Sequence, residues 1–268
     1  MKFSILASGS SGNSLFIETE KLRLLVDVGL SGKQLEQRLR LLDVDPATIS
    51  AILISHEHID HVKGLGVFCR RYQIPVYLNQ PTFQALPKTV GEIPAQLIHF
   101  VETGNAFTLA DLAIDSFPVS HDAAEPMAFT FTFQRETLAI VTDLGYVNQK
   151  IMDRVAHADV LIWESNHDVE MLRMGTYPWN IKRRILSDVG HLSNQDAGEA
   201  LAQFLRGDGQ QVFLAHLSKD NNLSELAHLT IQNILEEAGF QVGRDVQLLQ
   251  TYEDRPTQVR EVKRKVLK

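Results

Sequence analysis

The sequence predicts an α/β fold arranged as a four-layer αββα sandwich, in which helices cover two mixed β-sheets. Apolar runs of strand length recur along the chain, and the early runs follow one another in hairpin-like succession. Segments with helical periodicity interrupt these runs between Ser31 and Pro75 and again after Asp143. An order of this kind fits two helix-covered sheets.

The predicted elements follow from hydrophobic period and from turn residues at their ends. The predicted strands are 3–7, 14–18, 23–28, 51–55, 76–78, 95–101, 107–119, 128–134, 137–142, 160–163, 211–215 and 246–251. The predicted helices are 32–42, 61–72, 148–158, 194–205 and 224–238. Ser193 or Asn194 can cap the fourth helix and Ser224 the fifth, which Gly239 closes.

Composition indicates one soluble globular domain over residues 1–268, with a basic C-terminal tail at about 255–268. Of the 268 residues, 44% are hydrophobic and 22% charged, which is enough for a substantial core. The N-terminus is too short in apolar residues for a signal peptide, and no stretch reaches membrane-spanning length. We therefore expect a cytoplasmic protein without a membrane partner. The single cysteine, Cys69, is expected to be a buried thiol.

The net charge of −7 argues against a surface built mainly for binding phosphate. Two local basic segments remain candidates for nucleic-acid contact, the run Lys182-Arg183-Arg184 and the C-terminal tail. Solvated charge on a helix, or a loose tail, is at least an equal interpretation of each one alone.

The segment Ile52-Leu-Ile-Ser-His-Glu-His-Ile-Asp-His61 carries a buried strand into a dense set of metal-ligand residues. In an extended segment, residues two apart face the same side, so His56 and His58 can bind one ion. The turn that follows lets Asp60 and His61 reach a second ion. Imidazole and carboxylate ligands without thiolate suit Zn²⁺, and Mn²⁺ and Fe²⁺ remain open.

Further ligands are expected where other strands end. His121, Asp143 and His216 each follow such a strand. A lone His or Asp at a strand end is more often a hydrogen-bonding loop residue or a cap, so these three assignments depend on the first motif.

With these motifs, the chain resembles the metallo-β-lactamase superfamily over nearly its whole length, and within it the YycJ/WalJ group of nuclease-like proteins. The resemblance implies the metallo-β-lactamase fold and two metal ions. It implies that Asp27 supports residues 56–61, which we call the ligand loop, without touching metal. The implied ligands are His56, His58 and His121 for one ion, Asp60, His61 and His216 for the other, and Asp143 as the bridge.

Two further segments resemble motifs of the tRNA 3′-end-processing endonuclease, tRNase Z. Glu164-Ser-Asn166 stands where that enzyme has Glu-Ala-Thr, and Gly190-His191-Leu-Ser193 stands at its Gly-His-Ser motif. The match is partial, and no long arm for holding tRNA is visible. The resemblance implies a catalytic His191 held by Glu164, with Asn166 and Ser193 near substrate. His191 as a simple cap of the following helix is the alternative.

The remaining substrate contacts are predicted from two segments. The glycine-rich turn 7–14 offers Ser11 and Asn13 to a terminal phosphate, with a plain hairpin loop as the equal alternative. The segment 168–188 could form a lid that brings Lys182 and Arg183 to the substrate and stacks Trp179 on bases. A core-packing role for Trp179 is an equal alternative.

Together, the motifs and the resemblance lead to a dinuclear metal-dependent phosphodiesterase, a 5′-to-3′ exonuclease on DNA. A hydroxide shared by the two ions would attack phosphorus, oriented by Asp60, and His191 would protonate the leaving oxygen. A small-molecule cyclic phosphodiesterase, a thioester hydrolase of the glyoxalase II kind and a non-enzymatic regulatory protein remain as alternatives. The pattern does not indicate an oligomeric state.

Overall fold

The computed structural model describes residues 1–263, which form two compact units. Unit 1 comprises Met1–Pro118, Ala123–Met127 and Thr251–Val262, and unit 2 comprises Val119–Asp122, Ala128–Gln250 and Lys263. The chain passes from one unit to the other several times, so neither unit is a continuous segment. For that reason we retain the proposal that residues 1–268 form a single domain.

The strands and helices are numbered in chain order. The strands are β1 (Lys2–Ala7), β2 (Ser14–Glu18), β3 (Arg23–Val26), β4 (Ala51–Leu53), β5 (Val76–Leu78), β6 (Ile98–Phe100), β7 (Ala106–Leu109), β8 (Leu112–Pro118), β9 (Met127–Phe133), β10 (Glu136–Val141), β11 (Val160–Glu164), β12 (Gln210–Ala215), β13 (Val246–Gln250) and β14 (Arg260–Glu261). The helices are α1 (Gly32–Arg40), α2 (Ile59–Val62), α3 (Leu65–Tyr72), α4 (Gln80–Ala85), α5 (Gln149–Val155), α6 (Val169–Met174), α7 (Trp179–Ile185), α8 (Asn194–Phe204) and α9 (Ser224–Glu237).

Unit 1 contains a mixed sheet in the order β14-β1-β2-β3-β4-β5-β6, together with the antiparallel hairpin β7-β8. The strands β1 to β3 pair antiparallel, and β3 to β6 pair parallel. Buried side chains of the sheet and of α1 and α3 form one hydrophobic core, which includes Leu25, Leu35 and Phe68. Because β3 and β4 are parallel, their carboxyl ends deliver the residues that follow them to the same sheet edge.

Unit 2 contains strands in the order β13-β12-β11-β10-β9. The strands β9 and β10 form an antiparallel pair, whereas β10 to β13 are parallel. Residues following β10, β11 and β12 therefore meet at one edge, where parallel sheets commonly bind ligands. Helices α8 and α9 pack closely, since a Cβ on Gly198 would lie 2.7 Å from Cδ1 of Ile234.

Several predicted element boundaries need correction. The strand predicted at 107–119 is two strands, because the chain turns at Ala110, which has a positive φ of 52°. The helix predicted at 61–72 is interrupted at Gly64 and becomes α2 and α3. Helices α4, α6 and α7 and strand β14 were not predicted. These elements are short, so the hydrophobic period has little length in which to appear.

The basic C-terminal segment is partly built into unit 1. Strand β14 pairs antiparallel with β1, with Lys2 opposite Glu261 and Phe3 opposite Arg260. The hydroxyl of Thr257 accepts a 3.0 Å hydrogen bond from the Ile5 amide. The part of the predicted tail up to residue 263 is therefore not loose, and residues 264–268 lie outside the described residues.

Two smaller predictions concern burial. Cys69 is fully buried in unit 1, as expected, and burial raises the pKa of its thiol. An inert thiol follows, because only the thiolate is strongly nucleophilic. Among residues 1–263, no helix is long and apolar enough to cross a membrane.

Candidate metal centre

The first group of predicted ligands forms a tight histidine cluster in unit 1. The loop after β4 buries His56, and His58 occupies the N-cap position of α2 without capping it through its side chain. The ring centroid of His56 lies 4.7 Å from that of His58 and 4.1 Å from that of His61. The motif thus brings three imidazoles together around the start of one short helix, which also carries Asp60.

A buried carboxylate orients this cluster from behind. Asp27 directly follows β3 in the left-handed region, with a φ of 59°, which is uncommon outside glycine. Its carboxylate accepts 2.8 Å hydrogen bonds from the amide and hydroxyl of Ser55, and Oδ2 lies 2.8 Å from Nδ1 of His61. A carboxylate that contacts one ring nitrogen fixes the orientation of the imidazole and makes the other ring nitrogen a more basic metal ligand. This is the supporting role that the resemblance implied for Asp27.

The glycine-rich turn places Asn13 beside the same ligand loop. The side-chain nitrogen Nδ2 of Asn13 lies 3.3 Å from Oδ2 of Asp60 and 3.1 Å from Nε2 of His61. The side-chain oxygen of Asn13 accepts a hydrogen bond from the Gly9 backbone amide. Asn13, predicted to contact phosphate, therefore lies at two predicted metal ligands. Ser11 is exposed on the same turn.

The ligand loop is held by close backbone contact that only glycine permits. A Cβ on Gly29 would lie 1.6 Å from the carbonyl oxygen of Asp60. That carbonyl accepts from the Asn13 amide at 2.8 Å, and the His61 carbonyl accepts from the Val28 amide at 2.8 Å. The segment after β3 is therefore bonded along the back of α2.

The second group lies at the edge of unit 2 where β10, β11 and β12 end. Asp143 and His216 both follow strands in the left-handed region, with φ of 61° and 55°. Nδ1 of His216 lies 3.2 Å from Oδ1 of Asp143 and 2.9 Å from Oε1 of Glu164. Backbone conformations of this kind cluster at functional sites, which supports a role for these residues.

Glu164 is the centre of this group. It is fully buried at the end of β11, and Oε1 lies 2.9 Å from Nδ1 of His191 as well as from His216. Its Oε2 accepts from the amides of Leu144 and Leu192, each at 3.1 Å. Burial raises the pKa of this carboxyl, but His191 and His216 outweigh burial and hold the pKa well below its usual value. Glu164 is thus an anion that two imidazoles share.

His121 and His191 complete the group. Nδ1 of His121 lies 3.1 Å from the carbonyl oxygen of Gly190, and its ring centroid is 5.0 Å from that of His191. The His191 and His216 centroids are 5.1 Å apart. A Cβ on Gly190 would lie 2.1 Å from the Ile185 carbonyl oxygen, so this position also requires glycine. His191 does not cap α8, because Ser193 does.

The structure gives the predicted substrate contacts of unit 2 other partners. Asn166 is buried and donates to the His216 carbonyl at 2.8 Å. Ser193 is buried as the N-cap of α8, where its hydroxyl donates to Asp196 at 2.6 Å. The buried Lys182 ammonium donates to two backbone carbonyls, whereas Arg183 is exposed on α7. Of these four side chains, Arg183 alone faces solvent.

A buried amide network behind the second group was not foreseen. Ser165 donates to Asn194 Oδ1 at 2.6 Å, and the Asn222 amide donates to the same oxygen at 2.9 Å. The Asn222 amide also donates to the Asn166 carbonyl at 3.0 Å. The sequence signal for this network is the set of asparagines at 166, 194 and 221–222, and it is weak because asparagine is common in loops.

The donor sets fit divalent metal ions. In unit 2, Asp143, Glu164, His191 and His216 each offer a ligand atom, and these atoms all lie within 4.8 Å of one another. In unit 1 the donors are the clustered imidazoles and the Asp60 carboxylate. Nitrogen and carboxylate oxygen without thiolate is the chemistry of Zn²⁺, Mn²⁺ and Fe²⁺ sites.

Sequence comparisons connect this chain to bacterial nucleases. A family model described as "Beta-lactamase superfamily domain" matches residues 22–217. Exodeoxyribonuclease YycJ of Bacillus anthracis is 46% identical over 262 residues, covering 98% of this chain and 99% of that protein. Exodeoxyribonuclease WalJ of Streptococcus pneumoniae serotype 2 (strain D39) is 45% identical over 263 residues, covering 97% and 98%.

Structural comparison supports the predicted architecture. The metallo-β-lactamase fold protein YhfI from Bacillus subtilis superimposes with a TM-score of 0.71 at 16% identity, covering 96% of this chain and 99% of that chain. This likeness, together with the two mixed sheets and their helices, confirms the predicted α/β sandwich of that fold.

Proposed function

This chain belongs to the β-lactamase superfamily, and on that premise we propose that it is a dinuclear metal-dependent phosphodiesterase that degrades DNA as a 5′-to-3′ exonuclease. The observation that carries the proposal is the Glu164 and His191 pair within a chain whose full-length relatives are named exodeoxyribonucleases. A thioester hydrolase has no leaving oxygen that needs this second acid group. Because its proposed substrate is DNA, we propose that the protein acts in the cytoplasm.

The proposed metal ligands are those implied by the resemblance, with Zn²⁺ or Mn²⁺ as the ions and Fe²⁺ as a third possibility. One ion is assigned to His56, His58 and His121, the other to Asp60, His61 and His216, and Asp143 is the bridging ligand. The contacts of Asp27 with His61 and of Glu164 with His216 support this assignment, because both carboxylates hold Nδ1 and so select Nε2 for coordination.

The ions, when bound, lower the pKa of water and offset negative charge on the phosphate. The protein's own residues supply the rest. Asp60 accepts a hydrogen bond from the attacking water, which has released one proton to solvent, and aims its oxygen at phosphorus. As the bond from phosphorus to the 3′-oxygen breaks, that oxygen takes a proton from Nε2 of His191. Glu164 orients the His191 ring for this step, since Oε1 faces Nδ1 at 2.9 Å.

The test compares hydrolysis of 5′-phosphorylated duplex DNA and of bis-p-nitrophenyl phosphate, with Mn²⁺ or Zn²⁺, by the wild type and by His58→Ala and His191→Ala. Stepwise shortening of the DNA, abolished in both variants, is the expected result. Turnover of the small diester without DNA cleavage would point to a small-molecule phosphodiesterase. Full DNA cleavage by His191→Ala would show that His191 is not the proton donor.

A further inference from the structure

Helix α7 presents an aromatic and a cationic side chain to solvent. Trp179 is 61% exposed at its first residue, and Arg183 is exposed one turn later. Residues four apart lie on the same helix face, so the two side chains are neighbours. We call this pair the α7 platform. An indole with this exposure does not belong to the buried core, so the core-packing interpretation of Trp179 is wrong.

The α7 platform is anchored to its surroundings from beneath. The Lys182 ammonium, next in sequence to Arg183, is buried and donates 2.7 Å hydrogen bonds to the carbonyls of Arg173 and Gly175 at the end of α6. The Tyr177 hydroxyl donates to Asp220 at 2.8 Å just before the helix begins. The indole is therefore presented on a fixed element, which lowers the entropy lost when a ligand stacks on it.

The helix that carries the α7 platform is hydrogen-bonded at its last residue to the backbone of the proposed proton donor. The last residue of α7, Ile185, accepts a 3.0 Å hydrogen bond at its carbonyl from the His191 amide. Trp179 precedes Ile185 by six residues, which at 1.5 Å per residue is about 9 Å of helix. Trp179 therefore lies less than two helical turns before the residue that contacts the His191 amide.

The local charge suits a polyanion although the whole chain is acidic. Between residues 173 and 187 the sequence has four cationic residues and no Asp or Glu, against a net charge of −7 overall. Arg184 pairs with Asp122, and Lys182 is buried. Arg183 is the cation of this run that stands exposed beside the indole.

We infer that the α7 platform binds an unpaired nucleotide of the DNA substrate, with the indole of Trp179 stacked on the base and Arg183 on the adjoining phosphate. The inference rests on the proposed function and deepens it. A base can stack on an indole only when one of its faces is uncovered, so the substrate favoured is a single strand or a frayed or overhanging end.

The chain offers a direct optical readout of this contact. It has two tryptophans, and Trp163 is fully buried, so emission that responds to a ligand at the surface reports Trp179. Titration of the metal-loaded enzyme with a phosphorothioate-linked single strand of about eight nucleotides is expected to quench Trp179 emission. Trp179→Ala is expected to weaken binding about tenfold, measured by anisotropy of a labelled strand, and Trp179→Phe to retain most of it.

The charge contribution has a matched control in unit 2. Arg183→Gln is expected to weaken binding and to reduce its salt dependence by about one ion. Arg244→Gln removes the same charge from an exposed side chain that precedes β13, at the opposite end of the parallel strands from His216, and is expected to change neither.

Kinetics on substrates of different length complete the test. Trp179→Ala is expected to raise KM about tenfold for an eight-nucleotide strand and by less for a dinucleotide, which offers fewer bases for the indole to stack on. Wild-type binding and KM in Trp179→Ala, with DNA degraded normally, would overturn the α7 platform alone. A wild type that binds oligonucleotide through Trp179 without degrading DNA would overturn the proposed function alone, and absence of both would overturn both.

Discussion

In each of the two units a buried carboxylate orients histidine rings, but the number of rings that it contacts differs. In unit 1, Asp27 faces one imidazole, His61, and spends its other contacts on Ser55. In unit 2, Glu164 faces two imidazoles, His191 and His216, through a single oxygen. Loss of Asp27 is therefore expected to affect one proposed ligand, whereas loss of Glu164 is expected to affect a proposed ligand and the proposed proton donor together.

The largest effect is expected for Glu164→Gln. The amide carries no negative charge to hold the His191 ring. The single side-chain atom that faces both rings is then either a donor or an acceptor, and it cannot replace the carboxylate oxygen. We expect kcat on DNA to fall by at least about 10³-fold, the combined scale of a lost acid group and a lost supporting contact. Steady-state kinetics at saturating metal checks this. A loss that excess Mn²⁺ fully restores would contradict the shared role.

The next effect is steric. Gly29→Ala places a Cβ 1.6 Å from the Asp60 carbonyl oxygen, so the ligand loop must move away from the segment after β3. We expect a loss of about 3 kcal/mol or more in unfolding free energy, together with loss of metal affinity. Urea unfolding and metal titration measure the two. Gly104→Ala is the control, because nothing lies within 4 Å of its Cβ position, although its positive φ adds some strain.

A smaller effect is expected for Asp27→Asn. The amide keeps the volume of the carboxylate but no longer holds Nδ1 of His61 as an anion does. Metal affinity is expected to fall about 10- to 100-fold, while kcat at saturating metal stays close to that of the wild type. Competition with a chromogenic chelator measures the affinity. If kcat at saturating metal fell as far as in Glu164→Gln, the contrast between the units would be wrong.

The smallest effect concerns His167, an imidazole of unit 2 that makes no hydrogen bond to a carboxylate of the described residues. Both ring nitrogens are buried without a hydrogen-bond partner within the part of the chain that the structure describes, and burial lowers the pKa to about 4 from 6.5. The unfolded chain therefore binds more protons between these values, and stability falls as pH falls through this window. The loss between pH 7 and pH 5 is expected to be about 2 kcal/mol.

The check on His167 is urea unfolding of wild type and His167→Leu at both pH values, in chelator so that metal release contributes equally. The difference between pH 7 and pH 5 is expected to shrink in the variant. An unchanged difference would show that His167 does not titrate in the native state.

The ease of prediction also differs between the units. His56, His58, Asp60 and His61 lie within six residues, and their spacing alone predicts a ligand cluster. The second group is spread from His121 to His216, and the parallel order of β10, β11 and β12 brings Asp143, Glu164 and His216 together. The sequence identified its members through strand ends and a resemblance, but it gave no sign that Glu164 also contacts His216.

The predicted substrate contacts were harder still, because they depend on burial. Lys182 and Arg183 are adjacent and alike in the sequence, yet the structure buries one ammonium on two carbonyls and exposes the other side chain. Helix α7 has seven residues, too few for its hydrophobic period to separate its faces. Core packing of Trp179 could be excluded only from its exposure in the structure, and base stacking stays a proposal.

The pairing of β14 with β1 has a consequence for synthesis of the protein. The ribosome synthesises Lys2 long before its partner Glu261, so β1 is made well before β14. Until then the edge of β1 presents unpaired backbone groups, the kind of edge that recruits strands from other nascent chains. The edge of β1 is therefore covered only after β14 has been synthesised, and a stop codon before residue 255 would leave that edge open permanently.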